Sequence, residues 1–287
     1  MRKFSWFDAI NISIMLLLLA VVLYPFLYML NVSLSGSVYV MKGQVSLWPK
    51  GFNLQMYAIA LNDQRLWTGF RNSVLYTASG TAISLLCTAM GAYSLSKKKM
   101  LFQKQLLMAI VVTMFFGGGM VPTFLVVKSL GLVDTFWAMI IPGAISAWYL
   151  LIMKTFFAGI PQELEEAGKI DGLTDIGMFY RIALPLSKAS LATIGLFYAV
   201  GIWNNFSTPL LYLRNADLVP LQVVLREIVL SGQTNLQGNF SLGRDQQIVE
   251  ESLKYATILI GTFPILLAYP FLQKYFVKGV TLGSLKG

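Results

Sequence analysis

The stretch Glu165-Glu166-Ala167-Gly168-Lys169-Ile170-Asp171-Gly172, closed downstream by Ile182-Ala183-Leu184-Pro185, is charged and helix-forming, and it lies between long apolar segments. Pro161 suits the first turn of a helix, and Glu163, Glu165 and Glu166 follow where carboxylates favour the positive end of the helix dipole. Glu165 and Lys169 are four apart in the favourable order, while Leu164, Ala167 and Gly168 share a face, so the helix has a small, shallow apolar side. Gly172 supplies the stop, and Thr174 is placed to cap a second helix over Asp175 to Ala183 that leads through Leu184-Pro185 into the next apolar segment. Small residues let another surface approach closely, and exposed acids suit a basic partner. An anionic leaflet would repel those acids, so docking to a protein is favoured over resting on headgroups.

Of the 287 residues, 56% are hydrophobic and 12% charged, with a mean hydropathy of +0.66. These values place the chain among integral membrane proteins rather than soluble domains. The 22 Lys and Arg exceed the 13 Asp and Glu, a bias that in a multi-pass protein reflects positive cytoplasmic loops rather than nucleic-acid binding. Cys87 is the single cysteine, so no intrachain disulfide can form. Histidine is absent, which removes Ser-His-Asp catalysis, His-based zinc sites and imidazole relays. Gly168-Lys169 runs into Ile170, and no Gly-Lys-Ser or Gly-Lys-Thr occurs, so there is no P-loop. The chain is expected to carry no catalytic residue, metal site or bound cofactor of its own, and any ATP-driven work must be done elsewhere.

A membrane-crossing helix needs about 20 mostly apolar residues, and six segments qualify, near 9 to 30, 72 to 96, 105 to 127, 135 to 153, 189 to 213 and 255 to 273. The expectation is an all-α membrane protein forming a single transmembrane domain over 1 to 287, its first span uncleaved. With the N-terminus inside, the inner loops hold Lys97, Lys98, Lys99 and Lys104, then Lys154, Lys169, Arg181 and Lys188, then Lys274, Lys278 and Lys286. The bias predicts both termini in the cytoplasm. Two outer segments are long, about 31 to 71 and 214 to 254; the second holds a helix over Pro220 to Ile228 and then a polar Gly/Asn/Gln stretch suited to a partner's cleft.

None of the six segments contains Asp, Glu, Lys or Arg. Ion-coupled transporters commonly keep an ionisable group at membrane depth, so this chain reads as powered from outside the bilayer or as a passive pore. The spans instead hold Trp148-Tyr149 and Trp203-Asn204-Asn205, aromatic faces beside amides that suit the C–H faces and hydroxyls of sugar rings. The same residue types also serve at membrane interfaces and between helices, and the sequence leaves both roles open.

Glu166, Ala167, Gly172, Ile182, Leu184 and Pro185 fall in the register of the "EAA" loop, and on them the chain resembles permease subunits of binding-protein-dependent carbohydrate ABC importers. Gly168 replaces the usual second Ala, which costs an interior helix up to about 1 kcal/mol. Asn72-Ser73, Ala92-Tyr93, Gly131-Leu132 and Trp203-Asn204 extend the likeness over nearly the whole chain. The ending Val277 to Gly287 is similar to that of the maltose-type partner permease. Pro122 to Val127, and Pro220-Leu221-Gln222 through Arg226-Glu227, resemble permeases for complex oligosaccharides, including uronate-containing ones.

The resemblance implies a type I ABC importer permease fold with a cytoplasmic coupling helix, in a bacterial plasma (inner) membrane. It implies as partners a second homologous permease, two ABC ATPase subunits that bind ATP and Mg, an extracytoplasmic solute-binding protein and an oligosaccharide. By it, Glu163, Glu165, Glu166, Ala167, Gly168, Asp171, Gly172, Leu184 and Pro185 couple to the ATPase, and Thr281, Gly283 and Lys286 in the tail contact it. Gln233, Asn235, Gln237 and Asn239 belong to a loop entering the binding protein. The rival readings are an ion-coupled or a passive sugar transporter working without an ATPase.

Overall fold

The computed structural model describes residues 6–238 and 252–267, with the backbone alone over 231–238. Among the described residues there is no strand, only an isolated bridge between Ser35 and Phe52. The chain forms two compact units, one over Met1–Trp67 and Val224–Ile265, the other over Thr68–Val223 and Leu266–Gly287.

In the first unit, helix Trp6–Ser33 is apolar on every side and exposed along most of its length. Such a helix is stable where lipid solvates its side chains and its backbone bonds are satisfied internally, conditions under which Pro25 in its interior is also tolerated. Its C-terminal end is the buried part. Asn31 Nδ2 donates to the Ser46 carbonyl at 3.1 Å, and the Ser33 hydroxyl shares a 2.8 Å hydrogen bond with Tyr57. The segment read from sequence as the first outer connection is thereby folded back through short helices Ser37–Met41 and Gln55–Asn62.

The second unit is built around helix Gln64–Ser96, whose C-terminal half supplies Ala89, Ala92, Tyr93 and Leu95 to a core with Leu150, Met153, Phe157, Phe179, Ile194 and Tyr198. Asn72 Nδ2 donates to the carbonyls of Asp217 and Val219 at 2.7 and 3.0 Å, and Tyr76 donates to Leu218 at 2.8 Å, so the N-terminal half holds the 217–219 loop.

The helices differ from a reading of six unbroken spans. Trp6–Ser33 and Gln64–Ser96 are continuous, whereas three regions are bent pairs: Gln103–Phe115 with Met120–Ser129 at 118°, Phe136–Gly143 with Ala147–Ala158 at 55°, and Asp175–Leu186 with Lys188–Trp203 at 83°. The first break is the run Gly117-Gly118-Gly119, where Gly119 takes φ +80°. The second follows Pro142 and Gly143, and the third follows Pro185. The region near 189 to 213 is interrupted again after Trp203, with a short helix Ser207–Tyr212 beyond. Hydropathy counts apolar residues without seeing such breaks, because Gly and Pro barely lower the average. Apolar helix Ser252–Leu267 follows, the expected last span being described as far as Leu267.

Candidate functional site

Pro161 sits at the N-cap of helix Gln162–Ile170 with φ −57° and ψ 137°, one residue before the first-turn place the sequence suggests. Glu163 and Glu165 lie in the first turn and Lys169 in the last, each complementing the dipole. At the far end the Asp171, Gly172 and Leu173 N–H groups donate to Ala167, Lys169 and Gly168 at 3.0, 3.0 and 2.8 Å. Gly172 takes φ +76°, and Thr174 Oγ1 accepts from the Gly177 N–H at 3.2 Å to cap the next helix. That helix runs from Asp175 to Leu186 and widens into a π turn at Phe179–Ala183. Pro185 has no N–H to give the Arg181 carbonyl, and its ring would strike it, so the wider turn relieves both problems. The acidic turn is therefore pinned at both ends.

Gly172→Val should lower stability by about 1 to 2 kcal/mol, since a β-branched residue resists the left-handed conformation even in open space. Gly172→Asn should stay close to the parent in thermal unfolding of detergent-solubilised protein, because Asn adopts that conformation readily.

Two residues assigned to the outward face from sequence, Glu165 and Gly168, are engaged inward. Glu165 forms its ion pair with Lys97, just beyond helix Gln64–Ser96, rather than with Lys169 four residues on. The Lys97 ammonium also lies 4.0 Å from the Tyr93 ring centroid. Burial depresses the lysine pKa, but hydrogen bonds to Glu165 and Tyr93 together outweigh it, and the pKa ends above the ordinary value. Gly168 is the buried residue of the acidic helix, and a Cβ there would come 3.0 Å from Ile182 Cδ1 and 3.4 Å from Leu173 Cδ1. Its departure from Ala thus serves packing within the turn, and the close approach it permits is to its own chain. What faces outward is Glu163, Glu166, Ala167 and Asp171, with Ile170 at 87% and Ile176 at 71% exposure.

A cavity of about 380 Å³ lies in the second unit. Ser84, Thr123, Tyr149, Tyr198, Asn205 and Thr208 give it polar groups, and Gly80, Ile140, Phe197 and Ile202 are among its apolar walls. Tyr149 stacks on Phe197 with centroids 5.8 Å apart and meets Tyr198 edge-on at 4.8 Å. The Tyr198 hydroxyl hydrogen-bonds Thr88 Oγ1 at 2.7 Å and accepts from the Ser146 N–H at 2.9 Å, at the break before helix Ala147–Ala158. Asn205 closes its amide on Thr208, accepting from the N–H at 3.1 Å and donating to Oγ1 at 2.8 Å.

The sequence matches the family described as "Binding-protein-dependent transport system inner membrane component" over residues 100–282. The chain belongs to this family. It is similar to the "Polygalacturonan/rhamnogalacturonan transport system permease protein YtcP" of Bacillus subtilis (strain 168), with 42% identity over 98% of each chain. It is 44% identical to "Protein LplC" of the same organism, over 98% of this chain and 95% of that one. A chain from the crystal structure of a bacterial ABC transporter involved in the import of the acidic polysaccharide alginate superposes with a TM-score of 0.86 at 30% identity, covering 96% of this chain and 98% of that chain. The fold is that of a type I ABC permease, and the chain is a membrane-embedded transport component.

In this permease, Tyr149 and Asn205 reach the cavity, whereas Trp148, Trp203 and Asn204 do not line it. Trp148 is exposed, and the Asn204 amide donates to its own helix at the Val200 carbonyl, 3.0 Å away. Trp203 sits edge-on to Phe70 at 6.1 Å, its Nε1 buried with no hydrogen-bond partner among the described residues. Helix Lys188–Trp203 ends at Trp203, and Asn205 lies in the break before helix Ser207–Tyr212, so the members of the run Trp203-Asn204-Asn205 meet different surroundings. Leu184 and Pro185 lie with Lys188 along a second, apolar groove rather than on the outward face of the acidic helix.

Helix Leu221–Gly238 continues through Gln233, Asn235 and Gln237, where a loop was expected. One internal Gly costs a helix only about 1 kcal/mol, so Ser231-Gly232 does not end it. The side chains of those three residues, and Asn239, Thr281, Gly283 and Lys286 altogether, lie outside the described residues. Lys97, Ile170, Ile176 and Tyr198 are the positions that sequence reasoning missed. Ile170 carried a legible signal, a large apolar residue closing a charged helix of nine residues.

Proposed function

We propose that this permease takes up oligosaccharides, uronate-containing ones included, that an extracytoplasmic binding protein delivers. It pairs with a second permease and is driven by two ATPase subunits, with ATP and Mg bound there, docked on the Glu163 to Gly172 turn. Both termini lie in the cytoplasm. The observation that carries the docking role is the pinned acidic turn, which leaves Glu166 and Ile170 outward while Glu165 and Gly168 are taken up by the chain's own packing. An aliphatic anchor ringed by carboxylates suits a basic-rimmed apolar groove.

The substrate class rests on the likeness to a polygalacturonan/rhamnogalacturonan permease and to an alginate importer chain, and on the aromatic and hydroxyl lining of the cavity. No Lys or Arg lines it among the described residues, so a sugar carboxylate entering it meets hydroxyls and amides in this subunit. The tail residues Thr281, Gly283 and Lys286, and Gln233 to Asn239 as a contact for the binding protein, complete the proposal.

The test is purification of the tagged permease from its native membrane followed by reconstitution. An ATPase and a second permease should co-purify, and ATP inside proteoliposomes should drive uptake of an oligogalacturonide in the presence of the binding protein. Tyr149→Ala should lower that uptake by roughly tenfold, the scale of losing one aromatic contact to a ring, with assembly intact. Uptake by this chain without an ATPase would overturn the reading in favour of an ion-coupled or passive carrier.

A further inference from the structure

We infer that Lys97 and Tyr93 are the positions through which the acidic turn moves helix Gln64–Ser96, making Lys97 a positioning residue for energy coupling. The inference rests on the proposed docking of an ATPase at Glu163 to Gly172.

The turn is attached to the end of that helix at three points. Phe157, just before the acidic helix, packs edge-on against the Tyr93 ring at 5.6 Å, and Phe179, just after it, lies 5.2 Å from the same ring. Tyr93 is 8% exposed, so this aromatic cluster belongs to the core. The third attachment is the Glu165–Lys97 pair, the one of the three that grips the acidic helix itself. Aromatic faces can slide over one another at little cost, whereas a charge-assisted hydrogen bond is directional and resists displacement. Its side chains are 24% and 26% exposed, which lifts the pair out of the class of solvent-screened surface bridges. Lys97 also follows the C-terminus of helix Gln64–Ser96, where the dipole favours a cation.

The same helix continues to the cavity. Four residues before Ala92, Thr88 holds the Tyr198 hydroxyl at 2.7 Å, and Ser84 and Gly80, one and two turns further back, line the cavity itself. A rigid helix tied to the turn at one end and forming a cavity wall at the other has the two contacts a lever requires. Without the ion pair, the turn can be displaced by an ATPase while the wall stays where it was.

The experiment uses the assembled complex in proteoliposomes with its binding protein and a defined oligogalacturonide. Four variants are compared: Lys97→Gln, Glu165→Gln, Lys97→Arg and the exchange Lys97→Glu with Glu165→Lys. Lys97→Gln and Glu165→Gln should retain the ATPase on co-purification yet lower the ratio of stimulated to basal ATP hydrolysis by about tenfold, a typical coupling magnitude. Lys97→Arg should keep the ratio, and the exchange should recover most of it. A parental ratio in both Gln variants overturns the inference, as does an exchange that stays as defective as the single variants. Loss of the ATPase from the Lys97→Gln complex also overturns it, by assigning the residue to docking. Should Lys97→Gln fail to assemble in the membrane, Glu165→Gln, which preserves shape, decides alone. A parental complex that holds no ATPase counts against the proposed function instead, so the two failures are separable.

Discussion

Glu166→Lys is expected to reduce stimulated ATP hydrolysis and sugar uptake by roughly a hundredfold, corresponding to about 3 kcal/mol of lost and reversed interface electrostatics, while the permease itself still folds. Glu166 is exposed and makes no ion pair among the described residues, in contrast to Glu165 on the neighbouring position. Its substitution therefore leaves the protein's own packing untouched, and surface changes of this kind stay within about 0.5 kcal/mol of parental stability. The contrast separates a docking residue from a structural one. Thermal unfolding of the purified subunit should match the parent, and the defect should appear only when the ATPase is present. Parental uptake and stimulation with Glu166→Lys would remove this residue from the docking surface.

The acidic turn was the most legible part of the sequence because local rules govern it. Gly172 in the left-handed conformation and Thr174 at a cap are decisions made within a few residues, and the structure keeps both. The partners of Glu165 and Gly168 were not legible. Lys97 is 68 residues from Glu165 in sequence, and nothing in helical periodicity signals a contact over that separation when a lysine stands four residues away. Gly168 reads as a defect in a helix until Ile182, Leu173 and Met178 are seen around it. The spans show the same limit. Hydropathy finds their apolar content, but bends of 55° to 118° arise at Gly and Pro positions that averaging conceals. The cavity-lining residues were the least legible of all. Aromatic and amide residues in an apolar segment look alike whether they face a cavity, a neighbouring helix or lipid, and the break after Trp203 decides between Asn205, which lies in it and lines the cavity, and Trp203, which ends the helix and does not.

Tyr198→Phe should destabilise the permease by about 2 to 4 kcal/mol, more than the loss of an ordinary tyrosine hydroxyl, because it strands two polar groups at once. The Tyr198 oxygen is bonded to Thr88 Oγ1 and to the Ser146 N–H, and Thr88 is fully buried. Phe fills the same space, so no cavity term enters, and the loss is that of leaving a hydroxyl and an amide without partners. Pairing Tyr198→Phe with Thr88→Val removes one of the stranded groups and should recover part of the loss, since replacing both members of a hydrogen bond by apolar groups is far less costly than replacing one. The remaining orphan, the Ser146 N–H, lies at the break that sets the direction of helix Ala147–Ala158, and that helix carries Tyr149 into the cavity. The double variant should therefore regain thermal stability ahead of uptake. Equal unfolding temperatures for Tyr198→Phe and the parent would show that the hydroxyl does not hold this junction, and uptake recovering in step with stability would uncouple the break from the position of Tyr149.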